Sequence, residues 1–109
     1  MTYTPASIQR VRKRPVVVEA VPFDGTPQSA TEIIDWILGH GGHATWSEPY
    51  PAVSNADGTL AHEAWPGGLK IQTLEGPLRG AAGCVVIRGV QGEFYPIDPD
   101  IYAATYEPA

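Results

Sequence analysis

Glycine and proline constrain the fold of this chain more than any other feature, because 12 glycines and 11 prolines are spread over 109 residues. Both residue types punctuate helices and strands and favour turns. The elements between them must be short, which argues against a helical bundle. The length suits one domain, and a hydrophobic content of 43% is enough for a modest core. The sequence therefore predicts a single small domain with many turns.

Charge divides the chain into a basic N-terminal arm, residues 1–14, and an acidic domain, residues 15–109. The arm carries Arg10, Arg12, Lys13 and Arg14 and no acid, whereas the domain sets three basic residues against twelve acids, a net charge of −9. An acidic domain repels nucleic acid, so nucleic-acid binding is not supported. We expect the arm to be solvated or folded back on the domain, with residues 1–7 poorly ordered.

The sequence predicts a cytoplasmic protein without a membrane segment. No stretch approaches the ~18 consecutive apolar residues of a membrane span, and the N-terminal residues lack the apolar core of a signal peptide. Cys84 is the only cysteine, which excludes an internal disulfide. Its neighbours supply no catalytic base, so we interpret it as a small buried side chain.

The first half of the domain predicts a strand followed by a helix. Residues 16–23 are rich in β-branched side chains, and the unbroken valine run at their start favours a central or covered strand. Pro22 places the end of that strand at an edge or a bulge. Ser29 and Glu32 fit a capping box for an amphipathic helix over residues 29–38. Its apolar stripe is predicted to consist of Ile33, Ile34, Ile37 and Leu38.

The second half predicts hairpins and a short final helix. Residues 47–68 form a variable loop, inside which we expect a small hairpin that turns at Asp57 and Gly58. Strands are predicted over residues 69–74, 84–90 and 93–97, with Gln91 and Gly92 as a two-residue type I′ turn. Asp98 and Pro99 would begin the helix as N-cap and first residue.

Together these elements predict an α+β fold. A small twisted, mainly antiparallel sheet would carry one amphipathic helix on a face, and a short C-terminal helix would close an edge. A weaker strand candidate, residues 43–48, follows the first helix.

The sequence lacks enzyme signatures, and we expect neither catalysis nor a cofactor. No nucleophile elbow, phosphate-binding loop, zinc-protease motif or dinucleotide fingerprint occurs. His40, His43 and His62 are poorly preorganised for a metal, because flexible glycines separate the first two. Asp98 and Asp100 are explained by the start of the final helix.

Aromatic residues near the C-terminus are the candidate binding residues. Tyrosines together with an arginine could stack on and clamp a planar anionic ligand, although core packing explains most aromatic residues. The candidates are Arg88, Phe94, Tyr95, Tyr102 and Tyr106.

The segment from Cys84 to Glu107, CVVIRGVQGEFYPIDPDIYAATYE, resembles the end of a family of small phage and prophage accessory proteins. Residues 13–25 and 73–76 also match, so the resemblance covers about half of the chain. Cys84 and Val85 depart from the pattern, since family members carry an acid and an aromatic residue there. The resemblance implies a phage-type accessory protein in the host cytoplasm and supplies no reaction.

Two functions remain open at this point. The chain is expected to bind an unknown host or phage protein or to assemble with itself, as a homo-oligomer whose contact involves Phe94, Tyr102 or Tyr106. Alternatively, it binds or sequesters a small molecule such as a nucleotide signal. That alternative needs the positive charges outside the arm, Lys70, Arg79 and Arg88, to converge in one pocket.

Overall fold

The computed structural model describes residues 7–109, so the expectation for residues 1–6 of the arm lies outside the described residues. The described part contains eight strands and two helices. In chain order they are β1 (Glu19–Pro22), α1 (Pro27–Gly39), β2 (Ala44–Ser47), β3 (Val53–Ser54), β4 (Leu60–His62), β5 (Gly68–Thr73), β6 (Gly76–Gly80), β7 (Val85–Arg88), β8 (Phe94–Ile97) and α2 (Pro99–Thr105).

The strands form three small antiparallel sheets, and the predicted α+β class is confirmed. The first sheet has the order β1-β7-β8, the second β2-β5-β6, and β3 pairs only with β4. The expected single sheet is thus divided into three, and no described strand is longer than six residues. The core connects α1 with the first two sheets. It consists of Phe23, Ala30, Ile33, Ile37, Leu69, Ile71, Cys84, Val86 and Phe94.

Helix α1 begins one turn earlier than predicted. Thr26 is its N-cap and Pro27 follows in the first turn, where a proline costs no hydrogen bond. The backbone N–H of Ser29 donates to the Thr26 hydroxyl at 3.1 Å, so the proposed Ser29 cap is wrong. Ile33 and Ile37 are buried as expected, whereas Leu38 is half exposed.

The cap of α2 also differs from the prediction. Asp98 occupies the N-cap position, but its side chain accepts no capping hydrogen bond. We therefore expect Thr26→Ala to lower the free energy of unfolding by about 0.5–2 kcal/mol, and Asp98→Ala to change it by less. Chemical denaturation of the two variants measures both effects. An equal or larger loss in Asp98→Ala would contradict the cap assignments.

Strand β1 is not the central strand that its valine run indicated. It lies at the edge of its sheet, and its ladder with β7 begins only at the pair Glu19 and Arg88. Val16 and Val17 precede this pair and are 55% and 77% exposed. Strand β7 ends at Arg88, so residues 16–18 have no strand opposite them on that side.

The turn between β7 and β8 contains three residues rather than two. The N–H of Gly89 donates to Glu93 O at 2.7 Å, and the N–H of Gly92 donates to Gly89 O at 3.0 Å. Gly92 has a φ of +83°, while no other residue type has a positive φ within residues 7–109. A type I′ turn would require a positive φ at Gln91, so the turn is a type I turn followed by a left-handed glycine.

Candidate functional site

The structure divides the five candidate binding residues between two faces of the first sheet. Arg88 lies opposite Phe94 in the ladder, so both side chains share the face that carries α1. Tyr95 lies on the other face, where it meets Tyr106, the residue that caps the end of α2. The five residues therefore do not form one site.

Phe94 and Arg88 have structural partners on the α1 face. Phe94 is 4% exposed and packs edge-on against Trp36, with 5.0 Å between ring centroids. Arg88 forms an ion pair with Glu19 at 3.0 Å across the β1–β7 ladder. Its Nε is buried without a hydrogen-bond partner. A core phenylalanine is not available to a ligand.

The three tyrosines attach α2 to the sheet. The hydroxyls of Tyr95 and Tyr106 lie 3.3 Å apart, and the rings of Tyr102 and Tyr106 stack with centroids 5.4 Å apart. Burial, and then the hydrogen bond with Tyr106, raises the pKa of Tyr95 to about 12. Tyr95 is therefore a neutral phenol near pH 7 and is not poised as a base.

Two of the three basic residues outside the arm lie close together, but they contact a tryptophan of the protein itself. Lys70 and Arg79 are paired across β5 and β6. The Lys70 Nζ lies 5.4 Å and the Arg79 Cζ 5.9 Å from the Trp65 ring centroid. Such cation–π contacts contribute about 0.5–1 kcal/mol each at exposed sites. Arg88 belongs to the other sheet, so the three cations do not converge in one pocket.

Arg79 also fixes the end of the loop that precedes β5. Its Nε donates to Gly67 O at 2.6 Å and its Nη2 to Pro66 O at 3.4 Å. We call Trp65, Lys70 and Arg79 the latch, because they hold residues 65–67 against the second sheet. Sequence analysis missed the latch, since the residues are brought together only by the strand register.

The latch holds a hairpin that projects from the rest of the chain. Strands β3 and β4 pair, the turn closes from Asn55 to Thr59, and Tyr50 forms a bridge with Trp65 at the base. Asp57 Oδ1 accepts from both the hydroxyl and the N–H of Thr59, and these bonds lower the pKa of Asp57. The predicted hairpin with its turn at Asp57 and Gly58 is confirmed. We call residues 48–67 the protruding hairpin.

The protruding hairpin presents an apolar and acidic surface. Every residue from 48 to 64 is exposed, including Tyr50, Val53 and Leu60. The ring of His62 packs edge-on against Tyr50 with centroids 5.4 Å apart. The segment contains three acids and neither lysine nor arginine. This surface is suited to contact with another macromolecule.

Within residues 7–109, no three His, Cys, Asp or Glu side chains lie close enough together to hold a metal ion. His40 is instead placed with its Nδ1 2.9 Å from Trp36 O, at the end of α1. Over the same described range, no helix is long and apolar enough to cross a membrane.

No protein-family model, curated protein or solved structure matches this chain.

Proposed function

We propose that this chain is a non-catalytic accessory protein of the phage type that acts by protein–protein interaction, with the protruding hairpin as its docking surface. The observation that carries the proposal is the continuous exposure of residues 48–64 in an ordered hairpin. Three large apolar side chains, Tyr50, Val53 and Leu60, are exposed there by 43–54%. The phage-type assignment rests on the C-terminal sequence string alone.

Energetic considerations support a docking role for the hairpin. A two-stranded hairpin is at best marginally stable in water, and it contributes no residue to the core cluster. The latch nevertheless holds its base through cation–π contacts and through the Arg79 hydrogen bonds. A segment that is anchored at its base and offers apolar side chains at its surface is preorganised for binding, which reduces the entropy lost on association.

The total surface of the chain supports the same function. The accessible area is 8339 Å², against about 5,900 Å² for a compact monomer of this mass. The radius of gyration is 18.2 Å, against about 13 Å for a compact chain of this length. Part of this extra surface lies on the protruding hairpin, where every residue from 48 to 64 is exposed and available to a partner.

Charge determines which partner the hairpin suits. Glu48, Asp57 and Glu63 make the hairpin anionic, so it repels nucleic acid and attracts a basic protein surface. The nucleotide-binding alternative needs convergent cations. Lys70 and Arg79 are engaged with Trp65, and Arg88 with Glu19, so no observation favours that alternative.

A paired-bait experiment tests the proposal. The variant Val53→Ser with Leu60→Ser removes apolar surface from the hairpin without touching the core, and Leu74→Ser changes a still more exposed apolar residue outside it. Proteins retained from host lysate by the wild-type bait should be lost from the hairpin variant and kept by Leu74→Ser. Mass spectrometry with isotope-labelled baits gives the ratio for each protein.

Thermal unfolding of all three baits serves as the control for folding. If the hairpin variant retains the same proteins as the wild type at equal amounts, the hairpin is not the docking surface. If Leu74→Ser loses the same proteins as the hairpin variant, binding is not specific to the hairpin.

A further inference from the structure

Among residues 7–109, the outer edge of β1 is unpaired, and the residues before β1 continue this edge without regular secondary structure of their own. β1 lies at the edge of the first sheet, and β7 pairs with it only from Glu19 onward. Residues 7–17 are all exposed, among them Val11, Val16 and Val17. The valine run has high strand propensity, yet its backbone has no partner strand within the described chain. An exposed edge of this kind is a template for pairing with another strand.

Backbone hydrogen bonds show which residues point toward that open edge. The N–H of Phe23 donates to Cys84 O at 2.9 Å, and the N–H of Gly83 donates to Phe23 O at 2.8 Å. In an antiparallel ladder, residues alternate between bonding to one side and to the other. Since Phe23 bonds inward, odd-numbered residues of β1 bond toward β7, and Ala20 offers its backbone groups outward. If residues 16–18 continue β1 in extended form, the same alternation gives Val16 and Val18 outward backbone groups.

The two prolines that flank this stretch fit the same alternation. Pro15 is odd-numbered, so its missing N–H lies on the inner side, where no strand is opposite. Pro22 is even-numbered and removes an outward donor, which limits pairing at the other end of β1. The open edge therefore extends through residues 16–20.

We propose that residues 10–18 extend β1 and that two copies of this chain pair through the outer edges of these extended strands in antiparallel fashion, around a two-fold axis at Val16, so that β1 of each copy pairs with residues 10–13 of the partner subunit. The two first sheets would join into one six-stranded sheet. When a two-fold axis relates two antiparallel strands, one residue must lie opposite the same residue of the partner subunit. If the backbone groups of that residue point outward, the two copies of the residue exchange two hydrogen bonds. This register places Lys13 opposite Glu19 of the partner subunit and Val11 opposite Val21 of the partner subunit.

Charge and symmetry favour a second copy as the occupant of this edge. The basic arm, at +4, would cross the first sheet of a domain whose net charge is −9, and Lys13 would meet the carboxylate of Glu19. A self-complementary edge needs no further protein to close it.

The groove beside the edge would be covered in the same dimer. A cavity of about 400 Å³ lies between residues 15–18 and the final helix, and Tyr102 and Tyr106 line it. These tyrosines would flank the contact, as expected from the sequence. Phe94 was also expected there, and this expectation is wrong, because Phe94 is buried in the core of its own chain. The contact lies on a different surface from the protruding hairpin.

Two proline variants test the dimer with a matched control. Val16→Pro removes an outward N–H, whereas Val17→Pro removes an inward N–H that faces no strand; both residues lie outside the β1–β7 ladder. Sedimentation equilibrium at micromolar concentration should give twice the 11.7 kDa monomer mass for wild type and Val17→Pro. Val16→Pro should give the monomer mass with an unchanged melting curve of its secondary structure.

A cysteine variant tests the register without relying on proline. In Val16→Cys the two new thiols would be opposite each other, at the roughly 5.5 Å Cα separation of a hydrogen-bonded pair, which a disulfide can span. Mild oxidation should give a covalent dimer, and Val90→Cys, equally exposed on the β7–β8 turn, should not. The native Cys84 is buried and remains reduced in both variants.

The proposal is wrong if the wild-type chain is a monomer, if Val16→Pro stays dimeric, or if Val90→Cys crosslinks as well as Val16→Cys. A wild-type monomer that gains mass only when duplex DNA is added would assign the arm to an anionic partner instead. None of these outcomes for the dimer changes the interpretation of the hairpin experiment, because Val53 and Leu60 lie on another sheet.

Discussion

Replacement of Phe94 by alanine is expected to lower the free energy of unfolding by about 3–5 kcal/mol. Phe94 belongs to the core cluster, and its ring meets Trp36 edge-on at 5.0 Å. Truncation removes the buried ring and leaves a cavity between α1 and β8. Because a domain of this size has a total stability of about 5–15 kcal/mol, this single change removes a large part of it. Denaturant unfolding followed by tryptophan fluorescence measures the loss.

Ile101→Ala is the matched control for this prediction. Ile101 lies on α2 and is 56% exposed, so its truncation should change the free energy of unfolding by less than about 1 kcal/mol. A small effect of Phe94→Ala together with a loss of binding would return Phe94 to the set of interface residues. A large loss of stability identifies it as part of the core.

The second large effect is expected for Gly68→Ala, which should lower the free energy of unfolding by about 2–5 kcal/mol. Gly68 begins β5 with a φ of +115°, a conformation that L side chains rarely adopt. A Cβ at this position would lie 2.6 Å from the carbonyl oxygen of Gly80, where β5 and β6 pair. Backbone atoms cannot move away as a flexible side chain can, so the second sheet must shift. Chemical denaturation gives the value.

Gly58→Ala separates the backbone conformation from the steric clash. Gly58 also has a positive φ, +87°, but no atom lies within 4 Å of the position of its Cβ. Its loss should therefore be limited to the conformational cost, about 1–2 kcal/mol. If Gly68→Ala and Gly58→Ala lower the free energy of unfolding by the same amount, the close approach of Gly68 to Gly80 does not contribute to the loss of stability in Gly68→Ala.

Local sequence signals predicted the helices and strands of this fold well where several neighbouring residues gave the same signal. The alternation over residues 69–74 became β5, and Asp57 with Gly58 marked the turn of the protruding hairpin. The apolar stripe of α1 included two of its buried residues, Ile33 and Ile37. Each of these signals depends on neighbours within a few residues. The structure of these segments could therefore be predicted without knowing how the rest of the chain folds.

Errors arose where two local signals competed. Ser29 with Glu32 resembled a capping box, but Thr26 followed by Pro27 offered a cap one turn earlier and lengthened the helix. Gln91 with Gly92 resembled a two-residue turn, but a positive φ at glutamine would be strained, and one more residue removes that need. Asp98 kept its N-cap position without the expected hydrogen bond.

The candidate site was the part that sequence alone predicted least well. Arg88, Phe94 and Tyr95 are near in sequence, but strand alternation sends Tyr95 to the face opposite the other two. Trp65, Lys70 and Arg79 are separated along the chain, and the β5–β6 register brings them together in the latch. Which residues share a sheet face or a cluster depends on how the strands pair, and not on how near the residues are in the chain.

The sequence by itself determined the α+β class, the short elements, the hairpin turn at Gly58 and the division into a basic arm and an acidic domain. These properties follow from propensity, turn chemistry and charge, which act over a few residues or over the whole composition. Only the tertiary structure decided that β1 is an edge strand, that Phe94 is in the core and that Lys70 and Arg79 lie against the Trp65 ring. These depend on which strands pair and in which register, and pairing is chosen by burial of the whole core rather than by any local segment.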